Sequence, residues 1–200
     1  KDIYENVSVN FDHIYSMSLR RCRKARLTED EFLTACYCTA MRIREFDHRR
    51  IHPSLREKLI HIITDGSYEP MRSIRDCAVK EGLVHVEDGL YCINRDLQKS
   101  DHGFHDIRLK HPIGVIANEI EPLTRVVDVI DNTINQPSVF IRKKVAQMVM
   151  DQDHEDFEHD YEAYYDQELS KPPENGAPFY LPGERRDVGI VLAHGYLAAP

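Results

Sequence analysis

A chain of 200 residues, 42% apolar and 30% charged, can build one ordinary core and is too apolar for an intrinsically disordered segment. Its net charge of −8 argues against nucleic-acid binding by the chain as a whole, so no nucleic-acid partner is expected. No apolar run approaches the ~20 residues that span a bilayer, and the opening KDIYENVSVNFDHIY carries no secretory signal pattern. Residues 6–15, NVSVNFDHIY, alternate: Val7, Val9 and Phe11 share one face, and Ser8, Asn10 and Asp12 the other. The alternation predicts a strand. A lone strand needs neighbours, and there is no initiator Met, so further sequence is expected before residue 1.

Residues 19–26, LRRCRKAR, place five cations in eight residues: Arg20, Arg21, Arg23, Lys24 and Arg26. Two readings stay open. The run can face phosphates or an anionic membrane, where each charge is worth about 1 kcal/mol, or it can be a solvated helix face. Thr28 then opens a helix. Thr28 and Glu31 form a capping box, and Phe32, Leu33, Ala35, Cys36, Ala40 and Ile43 make an apolar stripe ending near Phe46. A second helix is expected from Pro53 or Ser54 to Asp65, with Leu55, Leu59, Ile62 and Ile63 inward. A third runs from Glu69 to a stop at Glu81-Gly82, with Met71, Ile74, Cys77, Ala78 and Val79 inward. Asp88-Gly89, flanked by residues 83–86 and 90–93, is a hairpin signal. Three helices and a hairpin make a winged-helix-like arrangement. A DNA reader would carry basic residues on its wing, but this tip reads Glu87-Asp88, which favours a structural or protein-contacting wing.

Residues 100–112 are histidine-rich and turn-prone. After GVIANEIEPL, an amphipathic helix is expected over 123–134 with Val126, Val127, Val129, Ile130 and Ile134 on its packed face, and a longer helix from Ser138 to about Leu169. Phe140, Ile141, Val145, Met148, Val149, Phe157, Tyr161 and Tyr164 recur along that helix at helical spacing, and its middle is strongly acidic. Residues 171–184 carry four prolines and two glycines and read as a linker. After it Val188, Gly189, Ile190, Val191, Leu192 and Ala193 form a nearly all-apolar run, the pattern of a strand buried on both faces of a parallel sheet. No other segment looks like its sheet partner, so residues 188–200 should be irregular or mobile within this chain.

His194-Gly195-Tyr196 follows that run directly. The segment PFYLPGERRDVGIVLAHGYLAAP resembles the opening of the α/β-hydrolase superfamily, in its esterase or lipase-like branch. The resemblance covers about a tenth of the chain. It implies that the Tyr196 backbone amide belongs to an oxyanion hole, with His194 and Gly195 as structural members of the turn. It also implies a serine elbow, an acid and a later histidine that this chain does not contain, so ester hydrolysis by these residues alone is not expected.

In a second resemblance NVSVNFDHIYS is similar to the strand that follows the catalytic core of bacterial glycerolipid acyltransferases, and LTEDEFLTACYCTAMRIR, the wing-like hairpin and ANEIEPL resemble the helical tail after that core in glycerol-3-phosphate acyltransferase-like proteins. The histidine–aspartate motif of that family is missing; HGFHD at residues 102–106 has the wrong spacing.

Metal candidates are near misses. His154 and His159 stand five apart, whereas HExxH needs four; at 100° per residue their directions diverge by about 140°. His102, His105, Asp106 and His111 are suitable in type but lack a second element. The five cysteines match no ligand spacing and suit a reducing cytosol.

The expected fold class is mainly α with a small winged-helix-like hairpin, ending in the first core strand of an α/β-hydrolase domain. The expected divisions are 1–18, 19–96, 97–170, 171–187 and 188–200. The expected function is the non-catalytic region of a lipid-directed multidomain α/β-hydrolase. The alternatives are a glycerolipid acyltransferase accessory region and a helical protein- or membrane-interaction module. The expected partners are a hydrolase domain of the same parent chain and an anionic membrane surface. The expected location is the cytoplasm, extending to the inner face of a membrane, and no cofactor or metal is expected.

Overall fold

The computed structural model describes residues 7–24, 26–46, 51–56, 59–65, 68–95, 111–173, 176–183 and 188–192. The first departure from the sequence reading comes at Asn10. Its Oδ1 accepts from the His13 amide at 3.0 Å, and His13 Nδ1 accepts from the Asn10 amide at 3.2 Å. That is a reciprocal cap with histidine in the place Glu usually takes. It starts helix α1, Phe11–Arg21, where a strand was expected. The extended chain lasts only to Val9, which bridges to Ile51. Beyond the cap the alternation gives way to a helix buried almost all round, from Phe11 through Ile14, Tyr15 and Met17 to Leu19.

Helix α2, Glu29–Phe46, begins as expected. The Glu31 amide donates to Thr28 Oγ1 at 3.1 Å, and the Thr28 amide donates to Glu31 Oε2 at 3.0 Å. Thr28→Ala should cost about 1 kcal/mol in urea unfolding. The Thr28 amide also holds the Glu31 carboxyl below its ordinary range. A depressed folded-state value stabilises above the unfolded carboxylate range, and that stabilisation is lost as pH falls through the folded value. The deficit of Glu31→Gln should therefore be full at neutral pH and shrink below about pH 4. A deficit that does not change with pH would contradict this linkage.

The expected second helix is broken. Pro53–Leu55 is a 3-10 turn capped by His52, and α3 is only His61–Thr64. Leu55, Leu59 and Ile62 are buried as expected, but Ile63 is half exposed. β-Branched Ile60, Ile62, Ile63 and Thr64 are crowded on a helix, and nothing in the run favours extending it. Helix α4, Glu69–Lys80, matches its expected limits, with Met71, Ile74 and Ala78 buried; Val79, expected inward, is 46% exposed.

Gly82 accepts φ +67° at the stop, and strands β1, Val84–Glu87, and β2, Leu90–Ile93, follow as an antiparallel hairpin. Asp88 at φ +51° and Gly89 at φ +75° form its two-residue turn, in the left-handed region that Asp and Gly tolerate. Helices α5, Pro112–Ile120, and α6, Thr124–Ile134, come next, and then α7, Ser138–Tyr164. Among the described residues the architecture is thus mainly helical, with one small two-stranded antiparallel sheet. No helix among them is long and apolar enough to cross a membrane.

The chain divides into two compact units, Lys1–Val145 and Ala146–Pro200. In the first, α1 is the central element: it packs on α5, α6, α2 and α4, while α2 also packs on α6 and α3. The sequence divisions at 18/19 and 96/97 both fall inside this unit. Contact between α1 and α5 carries the core across the second of them.

In the second unit, the side chains of α7 beyond Val145 are mostly exposed. Phe157, Tyr161 and Tyr165 form a ladder of rings with centroids 5.9 and 5.5 Å apart. The Pro-rich stretch folds back on that ladder. Tyr161 Oη donates to the Lys171 carbonyl at 2.9 Å, and a Cβ at Gly176 would lie 3.2 Å from the Phe157 ring. Residues 188–192 have no regular structure, and Ile190, Val191 and Leu192 are 83%, 92% and 77% exposed.

Candidate functional site

The basic run is built into the first unit as a seam. Arg20 and Arg21 lie in the last turn of α1, where cations oppose the negative helix end. Arg21 Nη2 donates to Glu121 Oε1 at 2.7 Å. Arg20 Nη1 pairs with Glu121 Oε2 at 2.8 Å and donates to Asn118 Oδ1. One carboxylate after α5 therefore answers two guanidinium groups. Farther along, the Arg23 amide donates to Asn135 Oδ1 at 2.8 Å, and its guanidinium donates to Asp131 at 3.1 Å. Asn135 Nδ2 donates back to the Arg21 carbonyl at 3.1 Å, so the end of α6 is laced to the end of α1. At the other end of α1, His13 Nε2 meets Glu119 Oε2 at 3.0 Å.

Lys24 Nζ is enclosed with no hydrogen-bond partner among the described residues, and burial lowers its pKa. Arg26 is exposed. Arg20 and Arg21, expected from the sequence as membrane or phosphate contacts, pair with Glu121 at the end of α5, and Arg23, expected likewise and 68% exposed, pairs with Asp131 on α6. His194, Gly195 and Tyr196 lie outside the described residues, as do His102, His105 and Asp106.

A second cluster sits between α1, α2 and the hairpin. Tyr15 meets Phe32 edge-on, with centroids 5.2 Å apart at 81°, and Phe32 packs on Tyr91 at 5.3 Å. The Tyr15 and Tyr91 hydroxyls hydrogen-bond to each other in this buried setting. Burial pushes both phenols up, most strongly Tyr15. Burial also pushes the Cys36 thiol up to about 12, and burial together with a hydrogen bond to Glu81 takes Cys77 up to about 11. Cys22 and Cys38 move the same way for the same reason. A thiol or phenol nucleophile needs a lowered pKa or a neighbouring base. These groups are held in their neutral forms and belong to packing.

The third group was not anticipated. His85, Glu87 and Cys92 have ligand atoms all within 4.8 Å of one another, and no other such trio of His, Cys and carboxylates occurs among the described residues. Its signal was in the sequence. A two-residue turn at Asp88-Gly89 fixes the register, pairing Glu87 with Leu90 and His85 with Cys92. Read along the chain without that register, the three residues show no ligand spacing.

Comparison of the chain with protein-family models, with curated proteins and with solved structures finds no match in any of the three.

Proposed function

We propose that this chain is the non-catalytic region of a lipid-directed, multidomain α/β-hydrolase whose ester chemistry is carried by a serine outside these residues. One observation carries the reading. The apolar run at 188–192 is exposed and unpaired among the described residues, and His194-Gly195-Tyr196 follows it in sequence. An exposed apolar run is costly to leave in water and invites burial against a partner. A sheet supplied by a hydrolase domain is the natural receiver. The first unit fits an accessory role: Arg20, Arg21 and Arg23 are paired with carboxylates of the same unit, and its thiols and phenols with shifted pKa values are held neutral. Within this reading α2, α4 and the hairpin act as a winged-helix-like module for protein contact, since the tip presents Glu87 and Asp88.

The test uses the intact parent protein. Its frame should contain, within roughly 250 residues after Pro200, a G-x-S-x-G elbow, an acid and a later histidine. A fluorophosphonate probe should label that serine and leave residues 1–200 unlabelled. Absence of the elbow, or labelling confined to residues 1–200, would sink the proposal.

A further inference from the structure

We infer that the outer face of the β1–β2 hairpin is a zinc-class metal site, with His85, Glu87 and Cys92 as its nitrogen, oxygen and sulfur donors. Directly paired residues share a face of an antiparallel sheet, so the register puts His85, Glu87, Leu90 and Cys92 together. Val84 and Tyr91 lie on the opposite face and are buried. His85 Nε2 and Glu87 Oε2 are 3.9 Å apart, and all the donor atoms lie within 4.8 Å. Tetrahedral zinc, with bonds of about 2.0–2.3 Å, needs donors roughly 3.3–3.8 Å apart. Small rotations of side chains that are 65% and 72% exposed at His85 and Glu87 bring them to that spacing.

The backbone beneath is fixed, as a metal site requires. The Tyr91 amide donates to the Leu27 carbonyl at 2.7 Å, and the Asn94 amide donates to the Leu83 carbonyl at 2.7 Å. The Tyr91 ring is locked against Phe32. Cys92 also differs from the other thiols in its setting. Cys22, Cys36 and Cys38 are buried, and Cys77 is bonded to Glu81, whereas half-exposed Cys92 stands across the ladder from an imidazole.

A thiolate and an imidazole select zinc over magnesium or calcium. Three protein donors leave a fourth position for water, the arrangement of open zinc sites. On binding, the Cys92 S–H bond breaks, its proton goes to solvent, and an S–metal bond forms.

Cobalt(II) is the probe. Titrated into the reduced full chain, it should bind with one equivalent and give a thiolate-to-cobalt charge-transfer band that zinc(II) abolishes. Cys92→Ser should remove the band, and His85→Ala and Glu87→Ala should each weaken binding by at least about tenfold. Cys77→Ser should leave the titration unchanged. The three ligand variants should keep the parent's far-ultraviolet circular dichroism, which separates loss of a ligand from loss of fold. No band, a band that survives in Cys92→Ser, or undiminished binding in His85→Ala would overturn the site.

Discussion

Phe32→Ala should destabilise the first unit by about 3–5 kcal/mol, the range for truncating a buried phenylalanine. Phe32 is fully buried and is the middle ring of the Tyr15–Phe32–Tyr91 stack. Its removal leaves a cavity between α1, α2 and the hairpin, and it takes away the ring that positions the two hydroxyls on either side. Losing either hydroxyl partner would expose the other's unmet desolvation cost, about 1–3 kcal/mol. A single domain holds only about 5–15 kcal/mol in all. The variant should therefore show a much lower urea midpoint. The costs of Tyr15→Phe and Tyr91→Phe should sum to more than the cost of the double variant, because removing both hydroxyls leaves nothing unpaired. Additive single effects would mean that the hydroxyl pair contributes nothing as a pair.

Ile130→Ala should cost about 2–5 kcal/mol, and its spread through the unit is as informative as its size. Ile130 is fully buried on α6, the helix that packs on both α1 and α2. If Lys1–Val145 unfolds cooperatively, amide exchange in α1 and α2 should accelerate along with exchange in α6. Acceleration confined to residues 112–134 would instead mark a cooperative division near residue 96, where the sequence places one.

What could be read from the sequence tracks how local each determinant is. Thr28 and Glu31 are three apart, and Asp88-Gly89 lies between two short apolar runs; both elements formed where they were expected. Helix α1 was missed because its cap uses His13, and Asn-x-x-His does not read as a capping box. The second helix was overextended because apolar spacing outweighed its run of β-branched residues. The charge seam lay beyond reach for a different reason: Arg21 and Glu121 are 100 residues apart, and no local pattern predicts which carboxylate answers which arginine. The hairpin trio lies between these cases. Its register was available from the turn, but its meaning appears only when cross-strand partners are read together.

The burial of α1 has a consequence for how the protein is made. A helix buried almost all round emerges from the ribosome long before the helices that cover it. Glu121, which answers Arg20 and Arg21, is added 100 residues after Arg21. At synthesis rates of about 5–20 residues per second, its partner arrives roughly 5–20 s later. Through that interval Phe11, Ile14, Tyr15, Met17 and Leu19 face water with only α2, α4 and the hairpin to shelter them. Slowing translation between these segments should therefore lengthen the exposure of that apolar surface and lower the yield of folded chain.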